Sequence, residues 1–388
     1  MIENLLLVLV PVAAWAGWWF ARHIMRRGER KRNLVFSNQY FQGLNYLLNE
    51  QPDKAIQVFL EMAEVNEDTV ETHLALGSLF RKRGEVDRAI RLHQNIISKH
   101  NLNDTQRMQA LLELGEDYMR AGLFDRAERL FSELTDRESH APSALRHLLD
   151  IYQQEKDWGK ALSIAAKLEK LTGGHLGGLM SHFCCELAEL ELKQQKPEIA
   201  RKFLRQARRH DPESVRAHFI DAGIAEQKGN FDEALSVYEQ IVELDSDYLP
   251  DLLDAYLQTA TEAGEIERAA EQLERWAQDH EGISLVLHQA SILEEKQGAE
   301  IAAKFILNSL RQRPSVKGLE KLMFLKKESE AEIDSGEDIL HSITSELMAS
   351  QSSHRCSHCG FSGHNHHWQC PSCKQWSTTR TIRGVLGE

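Results

Sequence analysis

At 388 residues the chain is longer than a single hydrophobic core usually organises, so several domains or a repeat array are expected. Apolar residues make up 42% and charged residues 27%, with 8 prolines, which excludes a largely disordered chain. A formal charge of −13 argues against nucleic acid, because binding there depends on lysines and arginines that release counterions.

The first element is an apolar run over residues 5–20, broken only by the small residues Pro11 and Gly17. A helix rising about 1.5 Å per residue over roughly 18 residues just spans a hydrocarbon layer, so residues 1–21 are expected to form a transmembrane anchor. Residues 22–33 follow as a basic juxtamembrane segment containing Arg22, Arg26, Arg27, Arg30, Lys31 and Arg32, while only Glu3 precedes the run. By that asymmetry everything after the helix is expected in the cytoplasm. A cleaved secretory signal carries its charge before the apolar run and ends in small residues, which this segment does not. Trp15, Trp18 and Trp19 stand where indoles favour the headgroup level.

Residues 34–327 read as an array of helical hairpins. Alanines recur at Ala55, Ala89, Ala127, Ala161, Ala200, Ala234, Ala269 and Ala303, with separations of 34, 38, 34, 39, 34, 35 and 34. A 34-residue period with occasional insertions is the tetratricopeptide pattern. Gly43 and Tyr46, Gly77 and Phe80, and Gly115 and Tyr118 hold matching positions on the first helix of a hairpin. Turn glycines Gly84, Gly122, Gly229, Gly264 and Gly298 precede their alanines by five residues, where a chain leaving a helix needs a left-handed conformation. Phe59, Phe131 and Tyr238 follow theirs by four, on the same face of the second helix, and Pro212 closes a unit. A hairpin cannot bury its own apolar face, so stacked units share one core and leave a groove. In phase with the pattern, Arg81, Glu116, Arg146, Asp150 and Glu189 are expected to face a protein partner in that groove. Cys184 and Cys185 read as small buried apolar residues.

Residues 328–353 are expected to hold a polar linker and one amphipathic helix, with Ile339, Leu340, Ile343, Leu347 and Met348 docking on the array. Residues 354–388 carry the strongest motif. Cys356 and Cys359, then Cys370 and Cys373, form two C-x2-C pairs separated by ten residues, which sets four thiolates around one ion. Sulfur-only ligation suits zinc or a single iron, and the spacing does not choose between them. With four cysteines satisfying the ion, His354, His358, His364, His366 and His367 are expected at the surface or beside the thiolates. Phe361, Trp368 and Trp376 are expected to supply the small domain's core. The fold class is therefore all-α, with a transmembrane helix, a tetratricopeptide superhelix and a small metal knuckle.

The glycine after the first pair and the proline inside the second make this segment resemble the metal-binding knuckles of rubredoxin, although Lys374 stands where a glycine is usual. The order of anchor, repeat array and Cys356/Cys359/Cys370/Cys373 knuckle resembles the lipopolysaccharide assembly protein B family of Gram-negative bacteria over the full length. The resemblance implies a non-catalytic regulator of lipopolysaccharide synthesis at the cytoplasmic face of the inner membrane. It implies an adaptor that presents the committed-step deacetylase of lipid A synthesis to the membrane AAA+ protease FtsH, and that coordinates other lipopolysaccharide assembly proteins. The four cysteines carry over as metal ligands, and no catalytic residue does. Two competing readings are a rubredoxin-type electron carrier and a membrane-bound assembly chaperone.

Overall fold

The computed structural model describes residues 42–43, 45–46, 51, 54, 58, 70–99, 102–137, 139–329 and 335–388. The apolar run, its basic flank, and Ala55 and Phe59 of the first repeat lie outside these residues. Among the described residues no helix is long and apolar enough to cross a membrane.

Two compact units are present, one ending at Asp157 and also taking Lys170–Thr172, the other taking Trp158–Glu169 and Gly173–Glu388. The first contains α1 (Val70–Lys82), α2 (Val86–Ile97), α3 (Asp104–Arg120), α4 (Phe124–Leu134) and α5 (Ala141–Glu155). Helix α6 (Trp158–Thr172) opens the second, followed by α7 (Gly177–Lys193), α8 (Pro197–His210), α9 (Val215–Gln227) and α10 (Phe231–Leu244). A 3-10 turn (Ser246–Tyr248) leads into α11 (Leu249–Ala263), α12 (Ile266–Asp279), α13 (Ile283–Gln297), α14 (Ala299–Gln312), α15 (Val316–Ser329) and α16 (Ser335–Ser350).

The repeat alanines are the pivots of these hairpins. Ala89, Ala127, Ala161, Ala200, Ala234 and Ala269 are completely buried, each in the first turn of a second helix. Opposite them the first helices carry small residues for a steric reason. A Cβ on Gly77 would stand 2.2 Å from the His93 ring, and one on Gly115 would stand 2.5 Å from Phe131, so only glycine lets those rings in. The last alanine is a correction to the spacing argument. Ala302, not Ala303, is completely buried, because Gly298 both ends α13 and caps α14, which shortens that turn by one residue. Two other turns lack the glycine altogether. Lys156 and Gln195 take its left-handed backbone, at φ of 58° and 60°, a conformation that costs a residue with a Cβ about 1 kcal/mol.

Beyond the array the all-α expectation gives way to a small three-stranded sheet. Its strands β1 (His354–Cys356), β2 (Ser362–Gly363) and β3 (Thr379–Thr381) are ordered β2-β1-β3 and antiparallel, with Arg355 facing Ser362 on one side and Arg380 on the other. Helix α16 packs on α15, where Ser345 Oγ donates to Glu320 at 2.9 Å. Of the residues expected to dock, the side chains of Ile339, Leu340 and Met348 lie outside the described ones, whereas Ile343 and Leu347 are about half exposed and Thr344 between them is buried.

Candidate metal centre

Each cysteine pair sits on a tight loop, and the two loops repeat one hydrogen-bond pattern. Gly360 N donates to Cys356 O and Lys374 N to Cys370 O, both at 3.0 Å, while Cys356 N donates to Phe361 O and Cys370 N to Gln375 O. Reversing the chain so sharply needs a left-handed residue after the second cysteine, and Gly360 and Lys374 supply it at φ of 78° and 60°. Lysine therefore carries strain that glycine avoids. Lys374→Gly is expected to stabilise the metal-loaded domain by about 1 kcal/mol, read as a higher midpoint in chemical denaturation; an unchanged or lower midpoint would refute the strain.

The four sulfur atoms converge to within 4.8 Å of one another, and among the described residues no other group of cysteine, histidine or carboxylate ligands does so. Cys356 Sγ lies 3.8 Å from Cys373 Sγ, and Cys359 Sγ lies 3.7 Å from Cys370 Sγ. A tetrahedron with metal–sulfur bonds of about 2.3 Å has edges of about 3.8 Å, so this donor set fits one zinc or iron ion. A disulfide needs about 2.05 Å and is excluded. The Thr378 hydroxyl, 3.3 Å from Cys356 Sγ, together with the Cys359 amide, lowers the Cys356 thiol to about 6, which favours the thiolate a metal requires. When bound, the ion supplies a cross-link between the two loops. Cys184 and Cys185 play no part: both are fully buried in α7, and burial pushes each thiol up to about 12.

Two of the three aromatic residues expected to fill the knuckle's own core, Trp368 and Trp376, instead grip the array, while Phe361 stays beside His367 within the knuckle. Trp376 stacks on His182 of α7 at 4.8 Å and meets Trp158 and Phe183 edge-on. Trp368 stacks on Tyr248 at 5.4 Å and touches Phe219. A domain of this size has too little apolar volume to enclose two indoles, and the hairpin ends offer partners that do. Between the indoles lies Arg216 of α9, only 3% exposed, its guanidinium 6.0 Å from Trp368 and 5.6 Å from Trp376. Arg216 Nη2 donates to Glu186 and Glu189, each at 2.7 Å. Its Nε and Nη1 meet no acceptor among the described residues, and the ring faces stand in for one.

His182 binds the knuckle through Nε2, 2.8 Å from Ser377 Oγ. Burial, aided by the Arg216 charge, lowers it from 6.5 to about 3, so it is neutral when docked. Because the folded value is depressed, its contribution is complete above pH 6.5 and is lost as pH falls towards 3. Between pH 7.5 and 5.5 the docked state is expected to lose about 1.4 kcal/mol from this group. Tryptophan fluorescence of the metal-loaded protein should report it, and His182→Gln should flatten the dependence; an equally steep profile in the variant would refute the assignment.

Polar contacts extend the seam along the starts of the first helices. His354 Nε2 lies 2.7 Å from Asp251 of α11, and although burial opposes it, that carboxylate holds the imidazole above its ordinary value. Arg380 donates to Asp245 at 3.1 Å and covers the Tyr248 ring, and Arg383 pairs with Asp247. The Glu388 side chain accepts from Ser284 N at 3.0 Å, from Ser284 Oγ and from Lys317 Nζ, capping α13. Val385 O accepts from Val316 N at 2.9 Å, capping α15.

The other expected binding residues separate into two groups. Arg81 is held by Glu113, Glu116 and Asp117 at 2.8, 2.7 and 2.6 Å, and Glu189 is held by Arg216. Arg146 and Asp150 are exposed on α5. Of the knuckle histidines, His358 and His364 are exposed as expected, His366 and His367 are partly buried, and His354 is buried against the array. The residues that sequence reasoning missed are those of the seam. Asp245, Asp247 and Asp251 face His354, Arg380 and Arg383 across more than a hundred residues, and opposite charge in two short segments was the available signal.

The family described as tetratricopeptide repeat matches residues 72–105, 112–174 and 185–248, and the rubredoxin metal binding domain matches residues 354–380. A tetratricopeptide repeat protein of known structure from Parabacteroides merdae is 17% identical, with a TM-score of 0.33, over 72% of this chain and 99% of its own. Lipopolysaccharide assembly protein B of Haemophilus influenzae is 33% identical over 98% of both chains. The same-named protein of Escherichia coli K12 is 35% identical over 100% of both. Anchored by that full-length match and by the four converging thiols, the chain belongs to the lipopolysaccharide assembly protein B family.

Proposed function

We propose that this chain is a non-catalytic adaptor of lipopolysaccharide assembly, held at the inner membrane by residues 1–21 with its array and knuckle in the cytoplasm. Its task is to present the committed-step deacetylase of lipid A synthesis to the protease FtsH and so to set that enzyme's lifetime. The observation that carries this reading is the full-length match to proteins named for lipopolysaccharide assembly, which includes both the repeats and the knuckle. Confining an adaptor and its two partners to one membrane raises their effective concentration without any new contact. Cys356, Cys359, Cys370 and Cys373 hold one zinc or iron ion in a structural role. Of the groove residues, Arg146 and Asp150 are the ones available to a partner; Arg81, Glu116 and Glu189 shape the surface through ion pairs.

Pulse-chase labelling of the deacetylase in cells depleted of the protein tests the reading. Its half-life is expected to lengthen several-fold and to return when the chain is restored. An unchanged half-life would reject the adaptor, and a shortened one would favour an assembly chaperone.

A further inference from the structure

The four sulfurs of the metal centre are not equally sheltered. Cys356 and Cys370 are buried, Cys373 is half-buried and Cys359 is exposed. Exposure runs along the whole first loop, from Ser357 to Gly360. The second loop differs, because Trp368 before it and Trp376 after it hold the knuckle on the array. One sulfur thus faces solvent, and the loop behind it carries the seam.

Metal-bound cysteines are thiolates, the form that reacts with oxidants. Susceptible cysteines are exposed thiolates with a second cysteine beside them to resolve the oxidised sulfur. Cys359 meets both conditions, since Cys370 Sγ lies 3.7 Å away on the opposite loop. Cys184 and Cys185 fail the first, being fully buried in α7, and serve as an internal reference.

We propose that Cys359 is an oxidation site for hydroperoxides, and that its disulfide with Cys370 expels the ion and lifts the knuckle from the array. The Cys359 thiolate attacks one peroxide oxygen and the O–O bond breaks. Cys359 becomes a sulfenic acid, and the hydroxide released takes a proton to become water. The Cys370 thiolate then attacks the oxidised sulfur, the S–O bond breaks, and a second hydroxide takes a proton. Two thiolates, one hydrogen peroxide and two protons give one disulfide and two waters. The sulfurs lose the two electrons that the peroxide gains, so a bound zinc ion leaves with its charge unchanged. An electron carrier would instead change the charge of the ion and keep all four sulfurs. With two of four donors gone the site no longer closes. Trp368 and Trp376 then come free, uncovering Trp158, His182, Phe183 and Tyr248 on the array. Thiol reductants return the disulfide to thiolates by exchange, which resets the latch. The proposal rests on the four thiolates holding an ion, and not on the adaptor role.

The test uses the full-length protein in detergent, loaded with zinc and treated with hydrogen peroxide. Elemental analysis is expected to show one zinc released per disulfide formed, and chymotryptic mapping to join Cys359 to Cys370 while Cys184 and Cys185 stay reduced. Tryptophan emission should shift to the red, and dithiothreitol with zinc should restore it. Cys359→His keeps a donor for the ion but removes the exposed thiolate, so the variant should release zinc at least about tenfold more slowly. If that variant does not take up zinc, the disulfide map of the unaltered protein decides alone. Zinc retained through excess peroxide, release without the Cys359–Cys370 disulfide, native emission after release, or an equal rate from the loaded variant would overturn the proposal. A protein that binds no zinc before peroxide is added overturns the metal assignment together with it. Neither result touches the adaptor, which the pulse-chase experiment judges separately.

Discussion

Cys370→Ser is expected to abolish metal binding, unfold residues 354–388 and release both indoles from the array. Cys370 is completely buried at the centre of the second loop. The sheet beside it has strands of only two or three residues, far below what is independently stable in water. Structural zinc contributes about 10–16 kcal/mol of apparent binding energy to small domains, so losing it exceeds any reserve this one has. Chelation should give the same state from the intact chain. The expected readings are one metal equivalent lost by elemental analysis, red-shifted tryptophan emission and new protease cleavage after Ser353, with α1–α5 retaining their helicity. A metal-free protein with native emission would show that the seam alone folds the knuckle.

The second large effect is expected at Arg216. Arg216→Ala leaves Glu186 and Glu189 facing one another without a cation, and empties the slot between Trp368 and Trp376. Breaking a buried ion pair by removing one partner costs about 3–5 kcal/mol; both carboxylates are partly exposed here, which argues for the lower end. Arg216→Lys should recover little, because an ammonium cannot span two indole faces and two carboxylates together. Denaturant titration and the rate of proteolysis at the knuckle both measure the loss. If lysine restored the native midpoint, the planar guanidinium would not be what holds the seam.

The repeat architecture was legible because alanine and glycine at these spacings have a steric cause. The Gly77–His93 and Gly115–Phe131 approaches leave no room for a Cβ. The misplacement of the last repeat at Ala303 has an equally local origin. Gly298 closes one helix and opens the next, and a period counted from turn glycines cannot register a turn that has lost a residue. The convergence of the four cysteines was legible because two C-x2-C pairs at this spacing form two tight loops that bring their sulfurs together. The seam was not. Trp368 and Trp376 looked like core residues of a small domain, and nothing near them in sequence names His182, Arg216 or Tyr248 as their partners. Arg81 and Glu189 illustrate a related limit, since a charge in phase with a groove reads the same whether it meets solvent, a partner or another side chain.

Helical hairpins stacked in a row ordinarily fray from their ends, each depending only on its neighbours. The strap formed by the knuckle and tail changes that for α7 through α15, because it is fastened to the start of every second helix along the way. It also follows all of these hairpins in the chain, and so leaves the ribosome after them. Until it emerges, those hairpins stand without their tie.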